Sequence, residues 1–541
     1  MISAVRGCIY FRDVSFQGPH YWCGPLFLRY MFVKCYAGTL VGIEAMTIEV
    51  EVNVSPGLGM FLVGLPDNAV RESQERVRSA FENSGLKMPG KKVVVNLAPA
   101  DVRKEGSALD LTIAIAILAA TEQVATDRIG TYMIMGELSL DGTVKPIRGA
   151  LPIALNARAA GFSGIILPHE NAQEAAVVEG LDVLPVGSLR DVVAFLNGER
   201  NIEPCHAALS DEMEGNSPYG EDFADVKGQS HMKRALEVAA AGGHNVIMIG
   251  APGSGKTMLA RRMPSIMPPM TLDEALETTK IHSVAGKADC TGGLIWKRPF
   301  RSPHHLASQV ALIGGGTNPQ PGEISLAHNG ILFLDELPEF GRNLLEVLRQ
   351  PLEDKRVVVS RAKYSIEYPA NFMLIAAMNP CPCGYYNHPT KECVCSPASV
   401  ARYMNRISGP LFDRIDLHVE VSPVSLDDIG GNVSSEGSDV IRRRVVAARE
   451  RQAARFSGIT GVHTNAMMNS AMLREFCRLG AESGAMLKRA MERLDLSARA
   501  YDRIIKVART IADLEGKNDI APSHVAEAIT YRSLDRASWG K

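Results

Sequence analysis

The spacing of apolar and polar positions changes several times along this chain, and each change marks a boundary. Between residues 36 and 196, period-two runs such as Met46-Thr-Ile-Glu-Val-Glu-Val-Asn-Val54 predict strands, as do 92–97 and 164–168. They alternate with stretches of helical period at 69–84, 109–120 and 152–160, and residues 130–142 read as a strand and hairpin. Residues 197–222 are polar, acidic and without apolar period, which predicts a linker. From 223 to 425 the strands become continuous apolar runs, the pattern of a parallel sheet covered on both faces. A second breaker-rich stretch at 425–437 precedes segments that are almost wholly helical in period. The fold class is therefore α/β: an N-terminal α+β domain at 31–196, a linker at 197–222, a parallel-sheet core at 223–425 and a helical lid domain at 426–541. Residues 1–30 show no clear period. Met31 reads as a natural start, which makes the first thirty residues a non-native or loose extension.

Composition narrows the class. At 541 residues the chain exceeds one hydrophobic core. Lys+Arg 58 against Asp+Glu 60 gives a net charge of -2, so any contact with nucleic acid must come from local patches. No apolar stretch reaches the roughly 20 residues that span a bilayer. Residues 106–120 are interrupted by Asp110 and Thr112 and read as a core helix. No signal peptide is evident, so a cytoplasmic location is expected. The ten cysteines then suggest metal or free thiols before disulfides.

Two motifs carry chemistry. Gly250-Ala-Pro-Gly253-Ser254-Gly255-Lys256-Thr257 follows an apolar strand and opens a helix, the setting its G-x-x-x-x-G-K-[ST] pattern requires. The glycines let backbone N–H groups converge on an anion at the positive end of the helix. Lys256 is then expected to reach the β and γ phosphates of ATP, and Thr257 to hold Mg²⁺. Downstream, Ile331-Leu-Phe-Leu334-Asp335-Glu336 reads as a buried strand that delivers two carboxylates to its C-terminal edge. Asp335 fits the Mg²⁺-associated position and Glu336 the group that polarises an attacking water, so hydrolysis is expected.

The order of the remaining features resembles the AAA+ superfamily, in the branch with magnesium chelatase and the MCM helicases. Asn379, ending the apolar run 372–378, resembles the sensor 1 amide. Arg414, in Leu411-Phe-Asp-Arg-Ile-Asp416, resembles the arginine that reaches a neighbouring subunit's ATP, and Arg499 resembles sensor 2. The likeness is closest to the ComM/YifB family of magnesium-chelatase-like ATPases. It is carried by Gly64-Leu-Pro-Asp67, Val95-Asn-Leu-Ala-Pro-Ala-Asp101, Phe300-Arg-Ser-Pro-His304-His305, Ala377-Met-Asn-Pro-Cys-Pro-Cys-Gly384 and Ile407-Ser-Gly-Pro-Leu-Phe-Asp-Arg414. It implies an ATP-driven homo-oligomer, a hexamer, that promotes branch migration of DNA in recombination and natural transformation. Residues 31–196 resemble the Lon-protease-type (S5-like) domain. The proteolytic serine position falls on Ala108, with Ser107 one residue early, and no lysine follows Gly149 where the dyad needs one. A hydroxyl without a positioned base is a weak nucleophile, so a non-proteolytic scaffold is expected, with Ser107 as a helix N-cap.

Two further features stay open at this level. Cys381, Cys383, Cys393 and Cys395 bracket a loop containing His388 and resemble a structural Zn²⁺ site, free thiols or a redox-labile pair being the alternatives. Lys355 to Glu367 reads as two strands with a basic turn, in which Arg361 and Lys363 are candidates for DNA phosphate contact. His304 and His305, with Arg301, are candidates for the same channel. A DNA motor, a chelatase-type or chaperone-type ATPase that remodels a protein partner, and an ATP-dependent protease compete. The missing dyad counts against the last.

Overall fold

A computed structural model describes residues 31–104, 106–207, 220–288, 293–316, 319–360, 365–388, 390–422, 435–494 and 496–532. The extension at 1–30 and the hairpin tip with Arg361 and Lys363 lie outside the described residues.

The N-terminal unit is a seven-stranded mixed sheet. Its strands are β1 (Met31–Val41), β2 (Glu44–Ser55), β3 (Met60–Val63), β4 (Lys92–Ala98), β5 (Tyr132–Ile134), β6 (Gly164–Pro168) and β7 (Asp182–Val186), in the order β3-β4-β2-β1-β5-β6-β7. Alternation in β2 puts Ile48, Val50, Val52 and Val54 in the core and leaves Glu49 and Glu51 on the other face. Helix Asp110–Ala120 is buried along its whole length, so its apolar run is a core element, as its sequence predicts. The phrase around Gly64 is explained by backbone approach: a Cβ there would lie 2.2 Å from the Leu97 carbonyl oxygen. Asp67 caps helix Asn68–Ser84, accepting from Val70 N at 2.7 Å, and also accepts from Gly106 N at 3.1 Å.

The second unit is a five-stranded sheet, parallel throughout: β8 (Val246–Gly250), β9 (Phe300–Arg301), β10 (Ile331–Leu334), β11 (Met373–Met378) and β12 (Leu417–Val421). Its strands are buried apart from β9 and Glu420 on β12. Their order is β9-β10-β11-β8-β12. One face packs against Leu345, Tyr368 and Phe412; the other is covered by helix Ser230–Gly242 together with Ile441, Val445, Ile504 and Ile511. The C-terminal helices Ser438–Arg455, Ala498–Leu514 and Pro522–Thr530 thus share one core with the sheet.

The linker reading needs trimming at its start. Ile202 and Cys205 pack on the N-terminal core and Cys205 N donates to Val183 O at 2.8 Å, so chain up to that point belongs to the first unit. The two units also share a seam. Met270, Ala275 and Leu294 of the second enter the core of the first, and the Glu174 carboxylate accepts from Leu151 N at 2.9 Å and from the Ser283 hydroxyl.

One buried charge ties the second unit together. Asp416 accepts from Asn245 N at 3.0 Å and pairs with Arg503 on helix Ala498–Leu514 at 2.7 Å, with His244 Nδ1 at 3.5 Å. Burial pushes this carboxyl up, yet Arg503 and then His244 outweigh it and hold Asp416 well below the ordinary carboxylate range. Asp416→Ala leaves Arg503 unpaired and is expected to destabilise the ATPase unit by about 3–5 kcal/mol. A depressed carboxyl contributes stability above its unfolded pKa of about 3.9 and loses it only below. The melting-temperature gap between wild type and Asp416→Asn should therefore stay flat from pH 8 to pH 5 in calorimetry. A gap that closes between pH 6 and pH 5 contradicts the assignment.

Candidate nucleotide site

The phosphate loop leaves β8 at Gly250 and enters helix Lys256–Ile266, with Gly253 at φ +79° and Gly255 at φ +89°. Both angles lie where side-chain-bearing residues are strained, which suits glycine at both positions and explains the one the pattern requires at 255. A Cβ at Gly250 would approach the Val421 carbonyl oxygen to 2.6 Å, so this glycine lets β8 and β12 close side by side. The Ser254 hydroxyl is buried without a hydrogen-bond partner, an orphaned polar atom inside the cradle. An unpaired buried group of this kind fits a loop built around an anion.

Lys256 is buried and its Nζ donates to Gly250 O at 2.7 Å, Ala251 O at 3.0 Å and Asn379 Oδ1 at 3.2 Å. Burial pulls this amine below the ordinary lysine range, and the Asp335 and Glu336 carboxylates pull back. Thr257 Oγ1 donates to Asp335 Oδ2 at 2.7 Å. A hydroxyl and a carboxylate so paired are an oxygen donor set of the kind Mg²⁺ takes, and when bound the ion neutralises charge on the phosphates. Glu336 follows in a left-handed conformation, φ +52°, with its side chain exposed. The strand-end residues Gly250, Asp335 and Asn379 thus meet at the C-terminal edge of neighbouring strands, as their sequence settings predict.

Other candidates are placed differently. His305 Nδ1 lies 3.5 Å from Glu336 Oε2, and its ring centre lies 4.2 Å from that of His304, the two rings tilted by 33°. His305 therefore stands beside Glu336, the carboxylate expected to polarise water. Arg301 is held by both carboxylate oxygens of Glu323, at 2.6 and 2.8 Å, which removes it from the set of free cations. Arg414 is buried, bonded to Pro410 O at 2.7 Å and paired with Glu353 at 2.6 Å. Arg499 is exposed on the first turn of helix Ala498–Leu514, whereas Arg503, one turn on, is engaged by Asp416. No spacing in the sequence links His305 to Glu336 or Glu353 to Arg414, since both pairs join separate elements.

The N-terminal unit shows what became of the protease-like positions. Ser107 does not cap a helix. Helix Asp110–Ala120 has Leu109 at its N-cap with no side-chain bond, and the Ser107 hydroxyl donates to the Glu137 carboxylate instead. The first helical amides are already taken: Asp110 N donates to the Ser107 backbone carbonyl at 3.1 Å and Leu111 N to Gly136 O at 3.0 Å. Lys104 is fully buried and donates to the Pro99 carbonyl.

Comparison with known proteins agrees with this geometry. Residues 222–429 match the family model described as "Magnesium chelatase, subunit ChlI", residues 50–171 "Subunit ChlI of Mg-chelatase", and residues 435–532 "Magnesium chelatase, subunit ChlI C-terminal". The chain is 44% identical over 503 residues to the uncharacterized protein YifB of Escherichia coli K12, covering 92% of this chain and 96% of that one. It is 44% identical over 507 residues to the competence protein ComM of Haemophilus influenzae, covering 93% and 97%. The chain belongs to the ComM/YifB family of magnesium-chelatase-like AAA+ ATPases. Lon protease 1 of Bacillus subtilis is 31% identical over 169 residues, covering 28% of this chain and 21% of the protease, which fits the Lon-like character of the first unit. Among the described residues no helix is long and apolar enough to cross a membrane.

For this ATPase family member, Lys256→Ala is expected to abolish nucleotide binding. Glu336→Gln should keep it and slow hydrolysis by about 10²- to 10⁴-fold, the range for a lost general base. Fluorescent-nucleotide titration and phosphate release separate the two outcomes. Equal loss of binding in both variants would show that Glu336 is not the group that polarises the attacking water.

Proposed function

We propose that this chain is the subunit of an ATP-hydrolysing ring, a homo-hexamer, that moves along DNA and promotes branch migration during recombination, as in natural transformation. Its cofactors in this reading are Mg²⁺ with ATP and, at the four-cysteine cluster, Zn²⁺. One observation carries the DNA part. The hairpin of strands Arg356–Ser360 and Ser365–Pro369 is rooted in the ATPase core through Val357, Val359 and Tyr368, and its second strand ends three residues before the strand that carries Asn379. A shift at Asn379 on hydrolysis passes along so short a connection to the hairpin base. The residues that join its two strands include Arg361 and Lys363, a fork and a point charge suited to phosphate. The competence protein among its relatives supports the same reading.

Arg414 is the candidate for the cation supplied across the ring. It sits on a short segment after helix Gly409–Phe412, and Glu353 holds it where a neighbour's phosphate is the competing anion. A second reading, an ATPase that remodels a protein partner as magnesium chelatase subunits do, is favoured by the family models themselves.

Phosphate release measured with and without forked DNA separates the two. Stimulation by the fork is expected, and Lys363→Glu should remove the stimulation while sparing the basal rate. Stimulation by a protein partner alone would sink the DNA reading. Arg414→Ala should bind nucleotide yet lose turnover by about 10³- to 10⁵-fold, the range for an arginine finger. Mixed into wild-type rings, it should depress activity more steeply than its mole fraction. A linear dilution curve would argue against catalysis shared between subunits.

A further inference from the structure

Four sulfurs converge beside the nucleotide site. Cys381 Sγ lies 3.3 Å from Cys383 Sγ and 3.7 Å from Cys393 Sγ, and Cys383 Sγ lies 3.6 Å from Cys393 Sγ. Together with Cys395, all four lie within 4.8 Å of one another. A disulfide needs about 2.05 Å between two sulfurs and leaves no reason for a third or fourth to join them. A tetrahedral zinc with Zn–S bonds of about 2.3 Å places its sulfurs about 3.8 Å apart, close to the separations within this cluster. Tetrahedral S₄ sets also hold iron–sulfur clusters, but a polynuclear cluster spreads its thiolates wider than these stand.

The surrounding chain is shaped for such a site. Gly384 N donates to Cys381 O at 3.0 Å, closing a turn that brings the first two cysteines together, and Gly384 takes φ +84°. His388, the other soft ligand in the loop, turns its Nδ1 to the amides of Thr390 and Lys391 and its ring edge-on to Tyr385. The ligand atoms that converge are those of the four cysteines and not of His388, which makes a pure thiolate set.

The cluster touches the site on two sides. Cys381 lies two residues after Asn379, whose amide oxygen accepts from Lys256. Gly384 lies against the phosphate loop so closely that a Cβ would stand 2.5 Å from Pro252 Cδ and 2.7 Å from Pro252 Cγ. We infer that Cys381, Cys383, Cys393 and Cys395 bind one Zn²⁺, and that this clip braces the phosphate loop through Gly384 and Pro252, making nucleotide affinity depend on the metal. The bracing half of this inference rests on the reading of that loop as the ATP site.

The test uses the full chain purified with its thiols reduced. Elemental analysis should find about one zinc per chain, and none in the double variant Cys383→Ser with Cys393→Ser. Wild type stripped of zinc and returned to Mg²⁺ buffer should bind a fluorescent ATP analogue several-fold more weakly, with recovery on adding back one equivalent of Zn²⁺. Gly384→Ala, which adds a methyl against Pro252 and backbone strain at φ +84°, should keep its zinc and still bind nucleotide several-fold more weakly. Should the cysteine variant fail to fold, the stripped wild type and Gly384→Ala carry the test. Zinc-free wild type with full nucleotide affinity would overturn the inference, as would Gly384→Ala with unchanged affinity. Zinc-loaded protein that binds no ATP would count against the ATPase reading instead, since zinc content alone decides the metal site.

Discussion

The carboxylate of Asp416 is the constraint around which the ATPase unit is arranged. A charge removed from water is costly unless several partners replace the lost hydration. Here Asn245 N, Arg503 and His244 surround it, and they come from two distant parts of the chain: the entry to β8 and the long C-terminal helix. Asn245 extends the junction. Its backbone oxygen accepts from Asp416 N and Leu417 N at 3.0 Å each, and its side-chain oxygen accepts from Leu374 N at 2.9 Å. The N-terminal ends of β8, β11 and β12 are therefore fixed in register by one polar knot, and their opposite ends inherit that register.

That inheritance is what assembles the nucleotide site. Gly250 at the end of β8 and Asn379 just past β11 are neighbours because the strands are parallel and start from the same knot. Arg414 stands two residues before Asp416 on the same short segment, so its position relative to the phosphate loop is set by the same junction. Arg503 couples the helical layer to it. A helical layer bound by a buried ion pair and a continuous apolar core moves with the sheet or deforms that core.

What the sequence made legible follows the range of the physics involved. The phosphate loop and the strand ending in Asp335 and Glu336 are local patterns in which backbone angles and alternation of apolar residues decide the outcome within a few residues. Helix and strand positions in the N-terminal unit are readable for the same reason, with ends displaced by one or two residues, as at Ala150–Ala159. Contacts between distant segments leave no such trace. Ser107 carries the residue type of a cap, yet its hydroxyl is taken by Glu137, a partner thirty residues away that only the fold brings near. His305 resembles a channel residue by its place in an insert, and the fold sets it against Glu336. Of Arg499 and Arg503, one helical turn apart, spacing cannot say which is claimed by a buried acid and which is left exposed.

The N-terminal unit is built into this machine and not merely attached to it. Gly286 lies so near Arg148 that a Cβ would meet its side chain at 2.8 Å, and Gly149 N donates to Ser283 O at 3.3 Å. Helix Leu272–Val284 thereby lends residues to both units. A second contact lies at the turn between β1 and β2, where Ile43 joins Ile366 against one core and a Cβ on Gly42 would come within 2.8 Å of Ile366 Cγ2. Ile366 belongs to the second strand of the hairpin, Ser365–Pro369. The hairpin base is thus held from one side by the strand leading to Asn379 and from the other by a rigid turn of the first unit. Close-packed contacts of this kind do not stretch smoothly, so the hairpin base and the N-terminal sheet can shift only together.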